Sequence, residues 1–305
     1  MPTPQTQANK VQWKVRWRRS GRSRLALLIL LVATGSLLSQ PRWLFSLITK
    51  IQPGALYRVN PPTSSTPKKE QPKVIALTID DGPSSATTDI LSVLERYDVK
   101  ATFFNISSYV PGHEEAMRQT VAAGHELGNH LTEDQPSIRL LPDDFEPDLK
   151  AAEETLLPYL VRNEKQNSGA EEASSVTLKW LRPGMGFYNN DMVKIAEGRG
   201  YQIVLGSVFP YDTHIPSSRF ASAFILSTVR PGDIIVLHDG RSLGDDDPRD
   251  GEPSEDDTDE DDNCSALKCD RGKRTVETLE RILPELKAQG YTVTTLTELT
   301  RAYQP

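Results

Sequence analysis

Two adjacent carboxylates, Asp80 and Asp81, close an apolar run and stand directly before Gly82-Pro83. Residues 74–79, V-I-A-L-T-I, read as a buried strand that the Gly-Pro pair terminates. Such a strand end keeps two acids where a metal ion or a reacting proton takes up their charge. Taken alone, Asp-Asp-Gly-Pro also reads as a turn capping the next helix. Other reactive side chains recur further along: His130 followed by Glu133 and Asp134, Arg182 ahead of Pro183-Gly184-Met185, Asp212 after Tyr211, and His238-Asp239 after the apolar run 234–237. Carboxylates and histidines together supply the general base, the general acid and the metal ligands that hydrolysis needs.

Most of these residues sit just past a stretch that reads as a strand. Strand-like runs fall at 74–79, 101–105, 126–129, 178–181, 202–206, 234–237 and 292–296. Amphipathic helical patterns alternate with them at 86–97, 113–123, 143–157, 190–198, 217–229 and 273–289. That alternation predicts parallel strands joined by helical crossovers. Because some strands are short, the expected fold is an α/β distorted (β/α)7–8 barrel. Barrel enzymes build their sites from strand ends on one face, which is where these reactive residues fall.

The motifs Thr78–Pro83, His130–Asp134, Arg182–Met185, Asp212 and Val236-Leu237-His238 stand in the order of the polysaccharide deacetylases, and residues 74–300 resemble that family (carbohydrate esterase family four, the NodB-homology domain). The resemblance implies a hydrolase that removes acetyl groups from N-acetylated amino sugars of a polysaccharide. It implies Asp80 as general base, His238 as general acid, Arg182 holding Asp80 and Asp212 setting the protonation of His238. It further implies Asp81, His130 and Asp134 as ligands of a divalent metal, zinc first and manganese or cobalt next, and the backbone N–H of Met185 as part of the oxyanion hole. Amide hydrolysis fits this division of labour: water must be activated, the tetrahedral oxyanion stabilised and the departing amine protonated.

Several positions depart from the family pattern. Asp134 replaces a histidine, Leu131 a serine or threonine, Met185 an aromatic residue, and Thr213 a tryptophan. Aspartate is a competent zinc ligand, so Asp81, His130 and Asp134 could still form a three-ligand open site. Two carboxylates make that site more anionic and lower the Lewis acidity of its metal. A rival reading is a catalytically silent carbohydrate-binding domain on the same barrel. O-acetyl ester hydrolysis would use the same machinery. Against silence, Asp80, Asp81, His130, Arg182 and His238 all persist.

His113 reads as an exposed residue opening a helix, His125 as a packing residue, and His214 as a structural residue near the cleft. Glu133 is a candidate outer partner of the metal ligands, and Asp239 a residue fixing the strand-end backbone.

Charge is unevenly distributed over the 305 residues, whose net charge is −7. Residues 1–24 hold seven basic residues and no acid, while residues 245–262 hold twelve acids and one base. The remainder is close to neutral, so no basic face for nucleic acid exists outside the tail. After the basic tail comes an uncharged apolar run at 25–38, broken from a second at 43–48 by Pro41 and Arg42. This is the pattern of a signal or membrane anchor over 25–48, and either reading exports the body. Residues 49–72, rich in Pro, Ser, Thr and Lys, read as a flexible stalk, with the catalytic domain occupying 73–305. Residues 163–175 read as a polar surface insertion and 244–262 as an acidic disordered one. Cys264 and Cys269 could close a local disulfide in an exported protein.

Overall fold

The computed structural model describes residues 35, 38–62, 71–168, 177–240 and 271–303. The basic tail, most of the apolar run 25–38, the acidic segment and both cysteines lie outside the described residues, as do parts of the proposed stalk and of the polar insertion. Contacts divide the chain into Met1–Pro41 and a body, Arg42–Pro305. In the first unit, Ser39 N donates to Gly35 O at 3.1 Å. Among the described residues no helix is long and apolar enough to cross a membrane.

The body is an α/β barrel. Its strands are β1 (Ala55–Leu56), β2 (Lys73–Gly82), β3 (Thr102–Asn105), β4 (Glu126–Asn129), β5 (Trp180–Leu181), β6 (Gln202–Val204), β7 (Ile234–His238) and β8 (Tyr291–Thr294). Hydrogen-bonded order runs β1-β6-β5-β4-β3-β2-β7, with β8 on the first half of β2, and every pairing is parallel. The ring closes through isolated bridges, Val208 to Ile235 in parallel, where Val236 N donates to Val208 O at 3.0 Å, and Arg58 to Asp233 antiparallel. Two-residue strands and closure through isolated bridges account for the distortion expected from the short apolar runs.

Helices α1 (Arg42–Ile51), α2 (Thr87–Arg96), α3 (Glu114–Ala122), α4 (Pro142–Ser168), α5 (Asn190–Gly198), α6 (Ser218–Thr228), α7 (Arg271–Ala288) and α8 (Leu296–Tyr303) complete the body. The period-two alternation of β2 sorts its side chains between two cores. Ile75, Leu77 and Ile79 face the helices in one apolar cluster, while Val74 and Ala76 join Phe104, Trp180, Val204 and Ile234 in a second, inside the barrel. Helix α8 plugs the barrel floor with Leu296, Leu299 and Tyr303. The Tyr303 hydroxyl donates to Pro72 O at 2.6 Å and accepts from Val74 N at 2.9 Å.

The stalk boundary needs correction. Phe45 and Ile48 of α1 pack against the core, Arg42 pairs with Asp233 at 3.4 Å, and β1 pairs with β6. Gln52 Nε2 donates to Tyr188 O at 2.5 Å, and Tyr188 OH returns a bond to Gln52 O at 2.9 Å. Residues 42–56 therefore belong to the body rather than to an anchor reaching 48 and a stalk beginning at 49. Phe45 and Ile48, within the apolar run 43–48 that suggests an anchor, form the core-facing side of a short amphipathic helix, and residues 55–56 form an edge strand.

Candidate active site

The alternation that places Val74 and Ala76 inside the barrel carries on to Thr78 and Asp80, and its counterparts carry Arg182 beyond β5 and His238 at the end of β7. In register, Asp80 is the Cα partner of His238 on one side and of Phe104 on the other. Between Asp80 and Gly82 the register shifts, and Asp81 occupies the left-handed region with φ 62°. This bulge inserts one residue and turns the second carboxylate toward the same strand end as the first. A lone turn capping a helix would not need it.

Asp80 is buried, and Arg182 Nη1 donates to its Oδ1 at 2.5 Å. The same nitrogen reaches Thr78 Oγ1 at 2.8 Å, Nε donates to Val204 O at 3.0 Å, and the guanidinium stacks 4.1 Å from the Phe104 ring centroid. Arg182 is thus held through Nη1, Nε and its stacked face, while Nη2 is buried without a hydrogen-bond partner among the described residues.

His238 is anchored by Asp212, whose oxygens lie 3.0 and 3.1 Å from Nδ1 and which also accepts His238 N at 3.0 Å. This orients the ring and leaves Nε2 for chemistry. Burial opposes charge on the imidazole, yet the Asp212, Asp81 and Asp80 carboxylates outweigh it and push its pKa up to about 9. Phe209 meets His238 edge-on at 5.6 Å and packs against Tyr211 and His214 in the same way. Sequence reading missed Phe209, because a single aromatic residue in a loop carries no motif.

Asp81 and His130 face each other with Oδ1 3.3 Å from Nε2. His130 Nδ1 donates to Arg182 O at 2.5 Å, which fixes the tautomer and aims Nε2 at Asp81. Burial alone would raise the Asp81 pKa, but the His130 contact and the charges of His238 and Arg271 hold it well below the usual carboxylate range. His130 is pulled down by burial and, more strongly, up by Asp81 and Asp80.

Asp134 does not join this pair. Leu131 takes a left-handed conformation, φ 69°, and buries its side chain in the core, so the chain swings away immediately after His130. Gly184 N then donates to Ser137 Oγ at 2.6 Å, and a Cβ at Gly184 would lie 2.1 Å from Gln135 O. This close approach seats residues 135–137 against the Arg182 loop and leaves Asp134 exposed on the intervening bend. A zinc site with an open position takes three protein ligands. Among the described residues no group of three or more His, Cys, Asp or Glu side chains is placed to hold a metal. The residues present therefore fit two ligand places of such a site and not the third.

Met185 sits on the loop after Arg182 with φ 57° and its side chain 64% exposed, at the rim of the site. Asp239 is fully buried and accepts Ser84 Oγ at 2.8 Å and Thr87 Oγ1 at 2.5 Å; burial pushes its pKa up to about 7. Its N–H donates to Asp80 O at 2.7 Å, which fixes the strand-end backbone as expected. His125 is buried and accepts Ala101 N at 3.1 Å, with its pKa lowered to about 4 by burial and by Lys100. His214 is exposed, and His113 is half-buried at the start of α3. Arg271, which no motif singles out, donates from Nη1 to Asp81 Oδ2 at 2.9 Å.

Comparisons with known proteins bear on the family and the fold. The family profile described as Polysaccharide deacetylase matches residues 67–204. A peptidoglycan-N-acetylglucosamine deacetylase of Bacillus cereus is 30% identical over 238 residues, 75% of this chain and 89% of that protein. Among solved structures, a peptidoglycan N-acetylglucosamine deacetylase bound to an N-hydroxybenzamide superposes with a TM-score of 0.62 at 21% identity, covering 83% of this chain and 94% of that one. A pseudoenzyme of the CE4 family from Bacillus anthracis does so at 0.59 and 22% identity, covering 81% and 69%. At those identities the two structures speak for the fold alone. The profile, the relative and the strand-end constellation lead to one conclusion: the chain belongs to the polysaccharide deacetylase family.

Proposed function

We propose that this protein is a carbohydrate N-deacetylase, hydrolysing the acetamide of N-acetylated amino sugars within a polysaccharide. The observation that carries this reading is the opposed pair Asp80 and His238, register partners at the barrel mouth, each with its own fixed counter-charge in Arg182 and Asp212. In this reading Asp80 takes a proton from water as its oxygen attacks the acetyl carbon. The Met185 N–H receives the developing oxyanion. His238 then gives its proton to nitrogen as the C–N bond breaks, so acetate and a free amine leave. Attachment to a membrane through the N-terminal segment, with the body outside the cytoplasm, belongs to the same proposal and follows from the basic-apolar order of residues 1–38.

The test is acetate release from peptidoglycan and from chitin oligomers by the wild-type chain, compared with Asp80→Asn. Release that Asp80→Asn abolishes supports the reading, and no release from either polymer refutes it. A second reading, a silent carbohydrate-binding domain, is favoured by the displaced Asp134. It predicts saturable binding of the same oligomers without acetate release.

A further inference from the structure

Two acids stand side by side at the end of β2, and the structure supplies a separate arginine for each. Arg182 takes Asp80 at 2.5 Å, and Arg271 takes Asp81 at 2.9 Å. Both Arg271 and Asp81 are largely withdrawn from solvent, with side chains 18% and 14% exposed. Asp81 Oδ1 faces His130 and Oδ2 faces Arg271, so both oxygens are engaged.

Arg271 is held there by its own element. It is the first residue of α7, and one turn later Thr275 Oγ1 donates to His238 O at 2.6 Å, tying the helix start to the end of β7. Its aliphatic stem lies against the turn at Gly240, where a Cβ would come within 2.6 Å of the Arg271 Cβ. The missing side chain at Gly240 is what lets the stem approach. Arg271 Nε is buried without a hydrogen-bond partner among the described residues. The charge-assisted hydrogen bond from Nη1 to Asp81 is the contact that brings the positive charge of Arg271 onto that carboxylate.

We propose that Arg271 occupies the cation place of this centre: its guanidinium neutralises Asp81 where a divalent ion would sit, so that such an ion reaches Asp81 and His130 only by displacing it. This builds on the reading of the site only in taking Asp81 and His130 as the remaining ligand pair. A dication added while Arg271 stays in contact would meet a like charge across the same carboxylate, with a single neutral histidine to help. A third ligand that could offset this is missing, because Asp134 is turned away.

The experiment is calorimetric titration of zinc into the full-length chain, as wild type, Arg271→Gln, Arg271→Lys, and Arg271→Gln combined with His130→Ala. Arg271→Gln should bind zinc about tenfold more tightly than wild type or better, since it keeps a polar side chain and loses the competing charge. Arg271→Lys, which keeps the charge, should stay near wild type, and adding His130→Ala should erase the gain. Melting in the presence of a chelator and then of zinc guards against a folding defect: zinc should raise the melting temperature of Arg271→Gln by more than it raises that of wild type. The proposal is overturned if Arg271→Gln binds zinc no more tightly than wild type, including no binding by either, if lysine gives the same gain as glutamine, or if the gain survives His130→Ala. None of these outcomes depends on acetate release, so this proposal and the deacetylase reading fail separately.

Discussion

Asp80 and His238 are Cα partners on the adjacent parallel strands β2 and β7, both side chains directed into the barrel mouth. Parallel pairing at this register delivers a base and an acid to one cavity from residues 158 positions apart in the chain. Each is then pinned from outside its own strand, Asp80 by Arg182 and His238 by Asp212.

Replacing Asp80 by Asn should lower kcat by about 10²–10⁴-fold, the usual worth of a positioned general base. It also leaves the Arg182 guanidinium buried beside a neutral amide, which should cost about 3 kcal/mol of stability. Acetate release measured well below the melting transition, together with a urea titration, separates the two effects. Activity within a few-fold of wild type would remove Asp80 from the role of base.

His238 has to be protonated to release the amine, and its pKa is pushed up to about 9. Acetate release should therefore hold through neutral pH and fall as pH rises through about 9. The same group contributes stability that is fully present below its unfolded value near 6.5 and is lost as pH rises through about 9. Asp212→Asn removes the carboxylate that does most to raise it, so the alkaline limb of a kcat/KM profile should move to lower pH. A limb that stays in place would mean that another group titrates there.

Asp134→Ala should change acetate release and zinc affinity by less than about twofold, as expected for an exposed side chain remote from the machinery. A loss of about tenfold or more in zinc affinity, the scale of an outer metal partner, would bring Asp134 back into the site.

Gly184→Ala should destabilise the protein by about 1–3 kcal/mol or more, because the added Cβ meets the Gln135 carbonyl backbone rather than a flexible side chain. The same shift should loosen the Arg182–Met185 loop and lower kcat. Differential scanning calorimetry beside initial-rate assays checks both, and an unchanged melting temperature would show that residues 135–137 are not clamped as described.

At the opposite end of the barrel, Tyr303→Phe should cost about 1–3 kcal/mol, since it strips a buried Val74 N–H of its acceptor. Acetate release per folded molecule should not change, because Tyr303 bonds to the start of β2 and the site lies at its other end. A parallel loss of kcat would contradict that separation.

The sequence alone carried the parallel α/β architecture, because apolar runs of strand length alternate with amphipathic ones in a way that admits little else. It also carried Asp80, Arg182 and His238, each at or just past a strand end, and Asp212 in the loop after β6, where motif and order point to them. It could not carry Asp134. The family resemblance implies a ligand there, but the left-handed turn at Leu131 and the Ser137–Gly184 contact carry that carboxylate out of reach. Nor could it carry the helix at residues 42–51, whose apolar residues read as part of an anchor, whereas Phe45 packs on Tyr57, Ile48 on the core, and Arg42 pairs with Asp233. Arg271 belongs to the same class: nothing beside it in the chain marks it, and its partner lies 190 positions away. Local propensity and periodicity are written in neighbouring residues, and so can be read in order. Which charge meets which carboxylate depends on how helix α7 docks at the end of β7, and that is settled only when the barrel closes.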